Sequence, residues 1–360
     1  MRRFSRITVL MLMCCLTFPL SGCGKIREIV NQYEAPTEPV KTTNENQYAV
    51  VHSDEEICRM ILETMEANKT ACYFNVADEA MVKTDEWIKK FDGINDIQVE
   101  VTMAQSGYNV FLTLSYWDMY PIVAAFNKSD TTILSATQLE LCDKYIEIIG
   151  ASVSKDKSDY DNVLALHDYL VANIQYDSTN QTAGAYDALI KGTAMCKGYT
   201  ESFKTLLDMM GVENMVVSGY GNGEAHVWNL VNLDGEWYHI DVTWDDPLNG
   251  DGSVKHTYFN VDDADMALDH IWEKELYPKA TGTKYCYYAM DGVNKVYNQT
   301  ELNSLIASEV AAQKTRIEFV MYGEADLNAA CQSTGVAMEV TYSAVKKTRF
   351  MVYDMTVVYK

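Results

Sequence analysis

The sequence predicts an α+β protein whose central domain is flanked by two small α+β modules. The chain has 360 residues, enough for two or three domains. A helical stretch that begins at Cys196 precedes a β-hairpin signal at Asp234-Gly235, so the central domain is expected to pack a cysteine-bearing helix on an antiparallel sheet. Shorter segments with helical and strand periods lie on both sides of it. The sequence therefore predicts folded parts over 48–130, 131–282 and 283–360.

Composition limits the possible functions. Apolar residues make up 48% of the chain and charged residues 22%, a balance that favours folded domains over disorder. The formal net charge is −22, which repels nucleic-acid phosphates and provides no polybasic surface for acidic lipids. No nucleic-acid partner is therefore predicted.

Residues 1–22 are typical of a signal peptide. A basic start with three arginines precedes an apolar run over 7–20, which is too short to span a bilayer as a mature helix. The run ends in Leu20-Ser21-Gly22-Cys23, which resembles a bacterial lipobox. The resemblance implies a lipidated (palmitate-bearing) Cys23, a membrane anchor and an extracytoplasmic location, with the polar segment 23–47 as a tether. The alternative is an ordinary secretory signal that contains a cysteine, and the number of membranes in the cell envelope stays open.

The N-terminal module, 48–130, alternates helical and strand periods. A helix is predicted to begin after Ser53, because Ile57, Ile61 and Met65 recur at helical spacing. Strands are predicted over 71–76, 97–104 and 108–116, with a helix over 81–91.

The C-terminal module, 283–360, has the same order of elements. The predicted elements are a helix after 298–300, a strand over 316–321, a helix over 325–331 and strands over 336–343 and 349–359. The shared order predicts two related modules, although any two small α+β segments look alike at this level.

Two helices are predicted ahead of the central cysteine, within 132–175. Apolar residues recur at helical spacing in two groups, Leu134, Leu141, Tyr145 and Ile148, and Val163, Leu166, Leu170 and Ile174. A short helical piece over 186–190 follows and is ended by Gly192.

Cys196 is the candidate nucleophile. Helical spacing continues through Thr200, Phe203 and Leu207 to Gly211, so Cys196 is expected at a helix N-terminus, where free N–H groups and the dipole favour a thiolate. At an ordinary pKa of about 8.5, only about 3% of a thiol is ionised at pH 7, so a nearby imidazolium is also required. Taken alone, Cys196 is better interpreted as a buried structural cysteine.

The other cysteines form no metal-binding pattern. The chain has nine cysteines, three of them within the first 23 residues, and zinc-type spacing is absent. The pairs Cys58–Cys72 and Cys286–Cys331 are conceivable disulfides, which the sequence cannot establish. The acidic stretch 245–252 does not have EF-hand spacing and is interpreted as a solvated loop. No metal or cofactor is predicted.

The hairpin places His226 and Asp241. A two-residue turn pairs Leu233 with Glu236, and the same register puts position 228 opposite 241 within strands over 227–233 and 237–244. His226 and Asp241 then project from one face as diagonal neighbours about 7 Å apart, so Asp241 can orient the His226 ring. A slip of one residue would put them on opposite faces.

Other residues of this region have weaker context. His239 shares the face of Asp241 and is interpreted as the cross-strand neighbour of Leu230. Trp228, Trp237 and Trp244 are candidate walls of a substrate site, although packing of the hairpin explains Trp237 at least as well. No role is assigned to His52, His167, His256 or His270.

Three motifs, in this order, resemble the transglutaminase-like superfamily, whose members have a papain-like fold. They are Cys196-Lys197-Gly198-Tyr199 at a helix start, His226-Val227-Trp228-Asn229 in a strand, and Trp237-Tyr238-His239-Ile240-Asp241-Val242-Thr243-Trp244 after the Asp-Gly turn. The resemblance covers 176–260, about a quarter of the chain, and implies a catalytic triad of Cys196, His226 and Asp241. Thr200 departs from the small alanine that is common in the family.

The resemblance implies acyl transfer or hydrolysis at amide bonds of peptides or proteins through a thioester. Cys196 would attack the carbonyl and His226 would transfer the proton. The backbone N–H of Cys196 is one expected oxyanion donor and Tyr176 is a candidate for the second. The expected substrate is a surface protein or a cell-wall peptide. Two alternatives stay open, a cysteine protease and a binding or scaffold lipoprotein that keeps the fold without turnover.

Overall fold

The computed structural model describes residues 48–67, 69–91, 94–116, 119–179, 181–182, 184–246 and 253–360. The predicted signal peptide, Cys23, the tether and part of the acidic stretch, 247–252, lie outside the described residues. In the described part of the chain, no helix has the length and apolar character that crossing a membrane requires.

The N-terminal module is a four-stranded sheet with helices on one face. Its elements are β1 (Ala49–Val50), α1 (Asp54–Glu66), β2 (Ala71–Val76), α2 (Thr84–Lys90), β3 (Ile94–Met103) and β4 (Tyr108–Tyr116). Ser53 caps α1 by accepting from the backbone N–H of Glu56, and Ile57, Ile61 and Met65 are buried as predicted. The strand order is β1-β2-β4-β3, with β1 parallel to β2 and the other pairs antiparallel.

The described residues of the central domain form six α-helices and a five-stranded antiparallel sheet. The helices are α3 (Tyr120–Lys128), α4 (Ala136–Ser152), α5 (Asp159–Asn173), α6 (Cys196–Met210), α7 (Val242–Asp245) and α8 (Asp263–Met266). Capping boxes at Ser135 and Ser158 start α4 and α5. The predicted helical piece over 186–190 is a π-helical turn, Asp187–Lys191. Ile122 of α3 belongs to the same apolar core as Leu141 and Leu206, so α3 packs with the central domain.

The central strands place α6 against an antiparallel sheet. They are β5 (Gln175–Tyr176), β6 (Thr193–Ala194), β7 (Asn214–Gly221), β8 (Glu224–Leu233), β9 (Glu236–Ile240), β10 (Phe259–Val261) and β11 (His270–Trp272). The large sheet has the order β10-β9-β8-β7-β11, and β5 and β6 form a separate parallel pair. Helix α6 packs on β7 and β8. The predicted fold class, a cysteine-bearing helix on an antiparallel sheet, is confirmed.

The hairpin has the predicted register but a shorter second strand. Leu233 pairs with Glu236 and Leu230 with His239, and the turn residues Asp234 and Gly235 have φ values of 54° and 84°. The prediction that the strand continues to Trp244 is wrong. It ends at Ile240, because Asp241 caps α7 and accepts from the backbone N–H groups of Thr243 and Trp244.

The C-terminal module has the topology of the N-terminal one. Its elements are β12 (Lys295–Val296), α9 (Gln299–Ala311), β13 (Arg316–Met321), α10 (Leu327–Ser333), β14 (Met338–Lys346) and β15 (Met351–Tyr359). The strand order β12-β13-β15-β14 repeats β1-β2-β4-β3, again with a short first strand parallel to the second. Two modules of the same topology therefore flank the central domain.

Candidate active site

Cys196 is the first residue of α6, as predicted. The preceding Met195 makes no side-chain cap, and the first N–H groups of a helix have no partner within it. Gly198 allows the first turn to pack closely, because a Cβ there would lie 2.5 Å from Cβ of Ala194. The thiol is partly exposed, and the six cysteines among the described residues are free thiols.

Thr200 joins the cysteine helix to the strand that carries His226. Its hydroxyl donates to the carbonyl oxygen of Val227 at 3.0 Å, and its own carbonyl accepts from the side-chain amide of Asn229 at 3.2 Å. An alanine at this position could make only the second bond. The departure from the family pattern therefore adds a direct link between the two elements.

The side chains of His226 and Asp241 are in direct contact. Nε2 of His226 lies 2.7 Å from Oδ2 of Asp241. The other carboxylate oxygen accepts from the N–H groups of Thr243 and Trp244 at 3.1 and 3.2 Å. His226 is 9% exposed and Asp241 is fully buried, so the pair is shielded from water. Helix capping, not the strand ladder, fixes the carboxylate.

The ring of His226 acts on the Cys196 thiol. Burial opposes ionisation of the Cys196 thiol, but the hydrogen bond and charge of His226, together with the backbone N–H of Val227, hold its pKa below the usual value. Because Nε2 of His226 faces Asp241, Nδ1 is the ring nitrogen available to the thiol. The geometry therefore favours a thiolate–imidazolium pair.

The charge of Asp241 stabilises the imidazolium. Burial alone would lower the pKa of His226, yet the charge and hydrogen bond of Asp241, and then Cys196, raise it to about 10. Burial opposes ionisation of Asp241 as well, and the charges and hydrogen bonds of His226 and His270 keep its pKa well below the usual value. At neutral pH the His226 imidazolium and the Asp241 carboxylate are therefore both charged.

A cleft of about 450 Å³ opens beside Cys196. The first turn of α6 lines one side, and β7 and β8 line the other with small or apolar residues, among them Val216, Gly219 and Ala225. Gly219 cannot carry a side chain, because a Cβ would lie 2.2 Å from the carbonyl oxygen of Ile271. The cleft gives a substrate access to the thiol from solvent.

The predicted substrate residues have different surroundings. Trp228 is fully buried and cannot form a substrate wall, because residues of 258–280 cover its face of the sheet. Trp244 is half-buried and lies 5.6 Å, between ring centroids, from His226. Tyr176 pairs with Ala194, two residues before Cys196. Burial and then the charge of Cys196 raise the pKa of Tyr176, so its hydroxyl keeps its proton.

His270, to which no role was assigned from the sequence, contacts Asp241. Its Nε2 lies 3.2 Å from Oδ2 of Asp241 and its Nδ1 lies 2.6 Å from Oδ1 of Asp269. Burial opposes the charged form of His270, but these two carboxylates raise its pKa. We call His226, Asp241, Asp269 and His270 the Asp241 cluster.

A second buried cluster of similar chemistry lies in the same domain. Nε2 of His167 lies 3.2 Å from Oδ2 of Asp245, and Oδ1 of Asp168 lies 2.9 Å from Nδ1 of His167 and 2.8 Å from Nε2 of His256. We call His167, Asp168, Asp245 and His256 the Asp245 cluster. The prediction that this acidic stretch begins as a solvated loop is wrong, since Asp245 is fully buried and Asp246 is 8% exposed.

Each cluster holds three donor atoms within 4.8 Å of one another, a spacing that a metal ion could occupy. The sets are His167, Asp168 and His256, and His226, Asp241 and His270. In both, imidazole N–H groups donate to carboxylate oxygens, and these hydrogen bonds account for the short distances. We assign no metal ligand in either cluster.

Sequence comparison identifies the central domain. Residues 147–242 match the Transglutaminase-like superfamily, and this range contains Cys196, His226 and Asp241. The central domain therefore belongs to the transglutaminase-like superfamily.

Individual relatives resemble part of the chain. Kyphoscoliosis peptidase of Mus musculus is 26% identical over 151 residues, which are 37% of this chain and 22% of that protein. The Homo sapiens protein is 26% identical over 130 residues, or 31% and 20% of the two chains. The chain thus spans about a fifth of the length of these curated relatives. A crystal structure of a TGase covers 48% of this chain and 50% of its own, at 18% identity and a TM-score of 0.28.

Proposed function

We propose that the protein is a cysteine enzyme that opens amide bonds of peptides or proteins through a thioester on Cys196. The observation that carries this proposal is the position of Cys196 and His226 in the wall of one open cleft, with the His226 ring hydrogen-bonded to Asp241. A nucleophile, a base and a group that orients the base are the parts such chemistry requires. The name of the mammalian relatives, kyphoscoliosis peptidase, agrees with a peptide substrate.

In the first half-reaction the Cys196 thiolate attacks the amide carbonyl and forms a carbon–sulfur bond. The carbon–nitrogen bond then breaks, and the His226 imidazolium gives its proton to the departing amine. Asp241 stays ionised and keeps the ring of His226 in place through the 2.7 Å bond. The products are a thioester, a free amine and a neutral imidazole.

In the second half-reaction the neutral His226 takes a proton from water or from an amine, which attacks the thioester carbonyl. The carbon–sulfur bond breaks and Cys196 leaves as the thiolate. Water yields a carboxylic acid, and an amine yields a new amide. The proton taken from the attacking group restores the imidazolium, so the thiolate–imidazolium pair is ready for another cycle.

In this proposal two donors stabilise the oxyanion. The N–H of Cys196 is the first amide of α6 and has no helical partner. The second donor in this proposal is the Tyr176 hydroxyl, which β5 carries alongside the segment that leads into Cys196. Burial and the charge of Cys196 keep that hydroxyl protonated by raising its pKa.

We also propose that the enzyme works outside the cytoplasm as a lipoprotein anchored through Cys23. The support is the basic, apolar and Leu20-Ser21-Gly22-Cys23 sequence of the first 23 residues. Surface proteins and cell-wall peptides are then the accessible substrates. Incorporation of radiolabelled palmitate in the native host, absent in Cys23→Ala, tests this part.

The enzymatic proposal is tested with the full chain and a peptide that contains glutamine, with and without a small primary amine. Mass spectrometry distinguishes deamidation, amine incorporation and backbone cleavage. We expect one of these products with the unchanged chain and none with Cys196→Ala. In parallel, iodoacetamide should alkylate Cys196 at neutral pH faster than an ordinary thiol.

Buried thiols give the internal comparison. Burial raises the pKa of Cys72 and Cys286, so their peptides should be alkylated more slowly than the Cys196 peptide. If Cys196 reacts no faster than a free thiol and His226→Ala leaves its rate unchanged, the enzymatic proposal is wrong. A scaffold that keeps the fold without turnover would then be the better description.

A further inference from the structure

The strand pairing brings His270 into contact with the Asp241 carboxylate. β11 is antiparallel to β7, with His270 opposite Gly221, and Gly221 is in turn opposite Glu224 of β8, two residues before His226. Gly221 has no room for a side chain, because a Cβ would lie 2.7 Å from Cζ2 of Trp244 and 3.4 Å from Cδ2 of His226. The ring centroids of His226 and His270 are 5.6 Å apart.

Hydrogen-bond chemistry fixes the charge of His270. Its two ring nitrogens lie 3.2 Å from Asp241 and 2.6 Å from Asp269, both at carboxylate oxygens. An ionised carboxylate only accepts, so both nitrogens of His270 carry hydrogen and the ring is an imidazolium. Asp269 is held in turn by the Tyr258 hydroxyl, which donates to its second oxygen at 2.6 Å.

The Asp241 carboxylate thus lies between two positive rings. Its Oδ2 accepts from His226 at 2.7 Å and from His270 at 3.2 Å, and its Oδ1 is used by the α7 amides. Each ring competes for the same negative charge and repels the other. The titratable groups that face His270 from the elements around it, or act through Asp269, are Asp241, Asp269, His226, His239, Tyr258 and Lys347.

We propose that His270 is a positioning residue for Cys196, His226 and Asp241. It holds the Asp241 carboxylate from the side opposite His226, and its positive charge makes His226 release its proton more readily. This inference rests on the proposed function and extends it. An imidazolium that releases its proton more readily is a better acid toward the departing amine. The Cys196–His226–Asp241 series therefore has a fourth member that no local motif marks.

The test uses the full chain and needs no substrate. Alkylation of Cys196 by iodoacetamide is followed from acidic to alkaline pH by mass spectrometry of the Cys196 peptide. Two inflections are expected, the lower from formation of the thiolate and the upper from loss of the His226 proton. His270→Gln keeps a donor for Asp241 but removes the charge, so the upper inflection should rise by about one pH unit and the lower by less.

His167→Gln is the matched control. His167 is as buried as His270, and both its nitrogens also face carboxylate oxygens, but those belong to Asp168 and Asp245. Both variants should lose stability, and only His270→Gln should move the inflections. If His270→Gln lowers stability and leaves both inflections in place, His270 is merely structural and the inference is overturned.

A measurement on the unchanged chain covers the case in which His270→Gln does not fold. With ¹⁵N-labelled histidine, the ring of His270 is assigned through its contact with Trp244, whose centroid is 4.2 Å away. Two protonated ring nitrogens at neutral pH are expected, and a neutral ring overturns the inference. An alkylation profile of the unchanged chain with the single inflection of an ordinary thiol would instead overturn the proposed function, and this inference would fall with it.

Discussion

The Asp241 and Asp245 clusters have closely similar chemistry. In both, a fully buried carboxylate accepts from imidazole, two rings at Asp241 and one at Asp245. Each also accepts from backbone N–H groups, those of Thr243 and Trp244 in the first and that of Tyr258 in the second. Both raise the pKa of a histidine that burial alone would lower. Asp241 raises that of His226 to about 10, and Asp168 with Asp245 raises that of His167 to about 9.

The clusters differ in what lies at their outer end. His226 meets the Cys196 thiol and the 450 Å³ cleft. His256, at the outer end of the Asp245 cluster, stacks on the ring of Tyr287 with centroids 3.9 Å apart. A strongly shifted histidine is therefore insufficient to identify a catalytic centre, because an ion pair inside a core shifts it equally well. Access and an adjacent nucleophile make the distinction.

The largest expected difference between the clusters is in reactivity. In the proposed mechanism, His226→Ala removes both the acid–base group and the charge that stabilises the thiolate, so turnover should fall by about 10³-fold and Cys196 alkylation at neutral pH by at least about tenfold. His256→Ala is the matched variant from the Asp245 cluster and should leave both rates within about twofold. Equal losses in the two variants would show that the clusters act as one unit.

The sequence predicted the local parts of this centre well. The strands over 71–76, 108–116 and 316–321 have the predicted bounds, because β-branched and aromatic residues alternate between clear turn signals. The Asp234-Gly235 turn set the register that brings Asp241 beside His226. Asp241 reaches that position even though it caps a helix, since it directly follows the last residue of β9.

Contacts made by distant segments could not be predicted. His270 reaches Asp241 only because β11 pairs with β7, and three residues are too few for a periodic signal. Trp228 shares a face with His226, but the segment 258–280 covers it, so its prediction as a substrate wall was wrong. The His167–Asp245 pair joins residues 78 positions apart, on α5 and at the end of α7, and the sequence predicted the second of these as the start of a solvated loop.

We expect a substitution in the Asp245 cluster to lower the free energy of unfolding more than one in the Asp241 cluster. Asp245→Asn removes the charge that faces His167 in a site without exposure, and breaking a buried pair from one side costs about 3–5 kcal/mol. Urea unfolding measures the loss. Below the transition, the rate of Cys196 alkylation should match that of the unchanged chain. A variant that is folded but has an unreactive Cys196 would show that α7 transmits the state of Asp245 to Asp241.

The same cluster should make stability depend on pH. Burial raises the pKa of Asp245 even though His167 donates to it. His167 has carboxylate oxygens at both ring nitrogens, which raise its pKa. The raised pKa of His167 therefore determines how the stability of the pair changes with pH. Its pKa is higher in the folded than in the unfolded chain. The stabilisation, about 3 kcal/mol for a rise from 6.5 to about 9, is therefore complete below pH 6.5 and lost as the pH rises through 9.

Comparison with His167→Gln isolates this contribution, because His226 and His270 titrate in the same direction. The difference in unfolding free energy between the two proteins should be largest near pH 6 and shrink by about pH 9.5. A difference that stays constant across this range would mean that His167 is neutral in the folded chain.

Asp168 affects stability at low pH instead. Its pKa is lowered to about 2 despite burial, so its contribution is present above about pH 4 and lost as the pH falls.

The smallest expected effect concerns Lys347, a buried lysine. It contacts Tyr258, and Tyr258 is hydrogen-bonded to a carboxylate of each cluster. Nζ of Lys347 lies 4.0 Å from the ring centroid of Tyr258, whose N–H donates to Asp245 and whose hydroxyl donates to Asp269. Among the described residues this nitrogen has no hydrogen-bond partner. Burial lowers the pKa of Lys347 against the opposing charges of Asp269 and Asp265. The folded chain therefore disfavours the charged form.

Lys347→Met should consequently stabilise the protein at neutral pH by about 1 kcal/mol, or about 2–4 °C in melting temperature. Since the folded pKa is below the unfolded one, the gain should be present at neutral pH and disappear as the pH rises toward about 10. Lys284→Met, at a lysine with a 62% exposed side chain, should change the melting temperature little. A loss of stability in Lys347→Met, together with slower alkylation of Cys196, would show that this cation supports the Asp241 cluster through Tyr258.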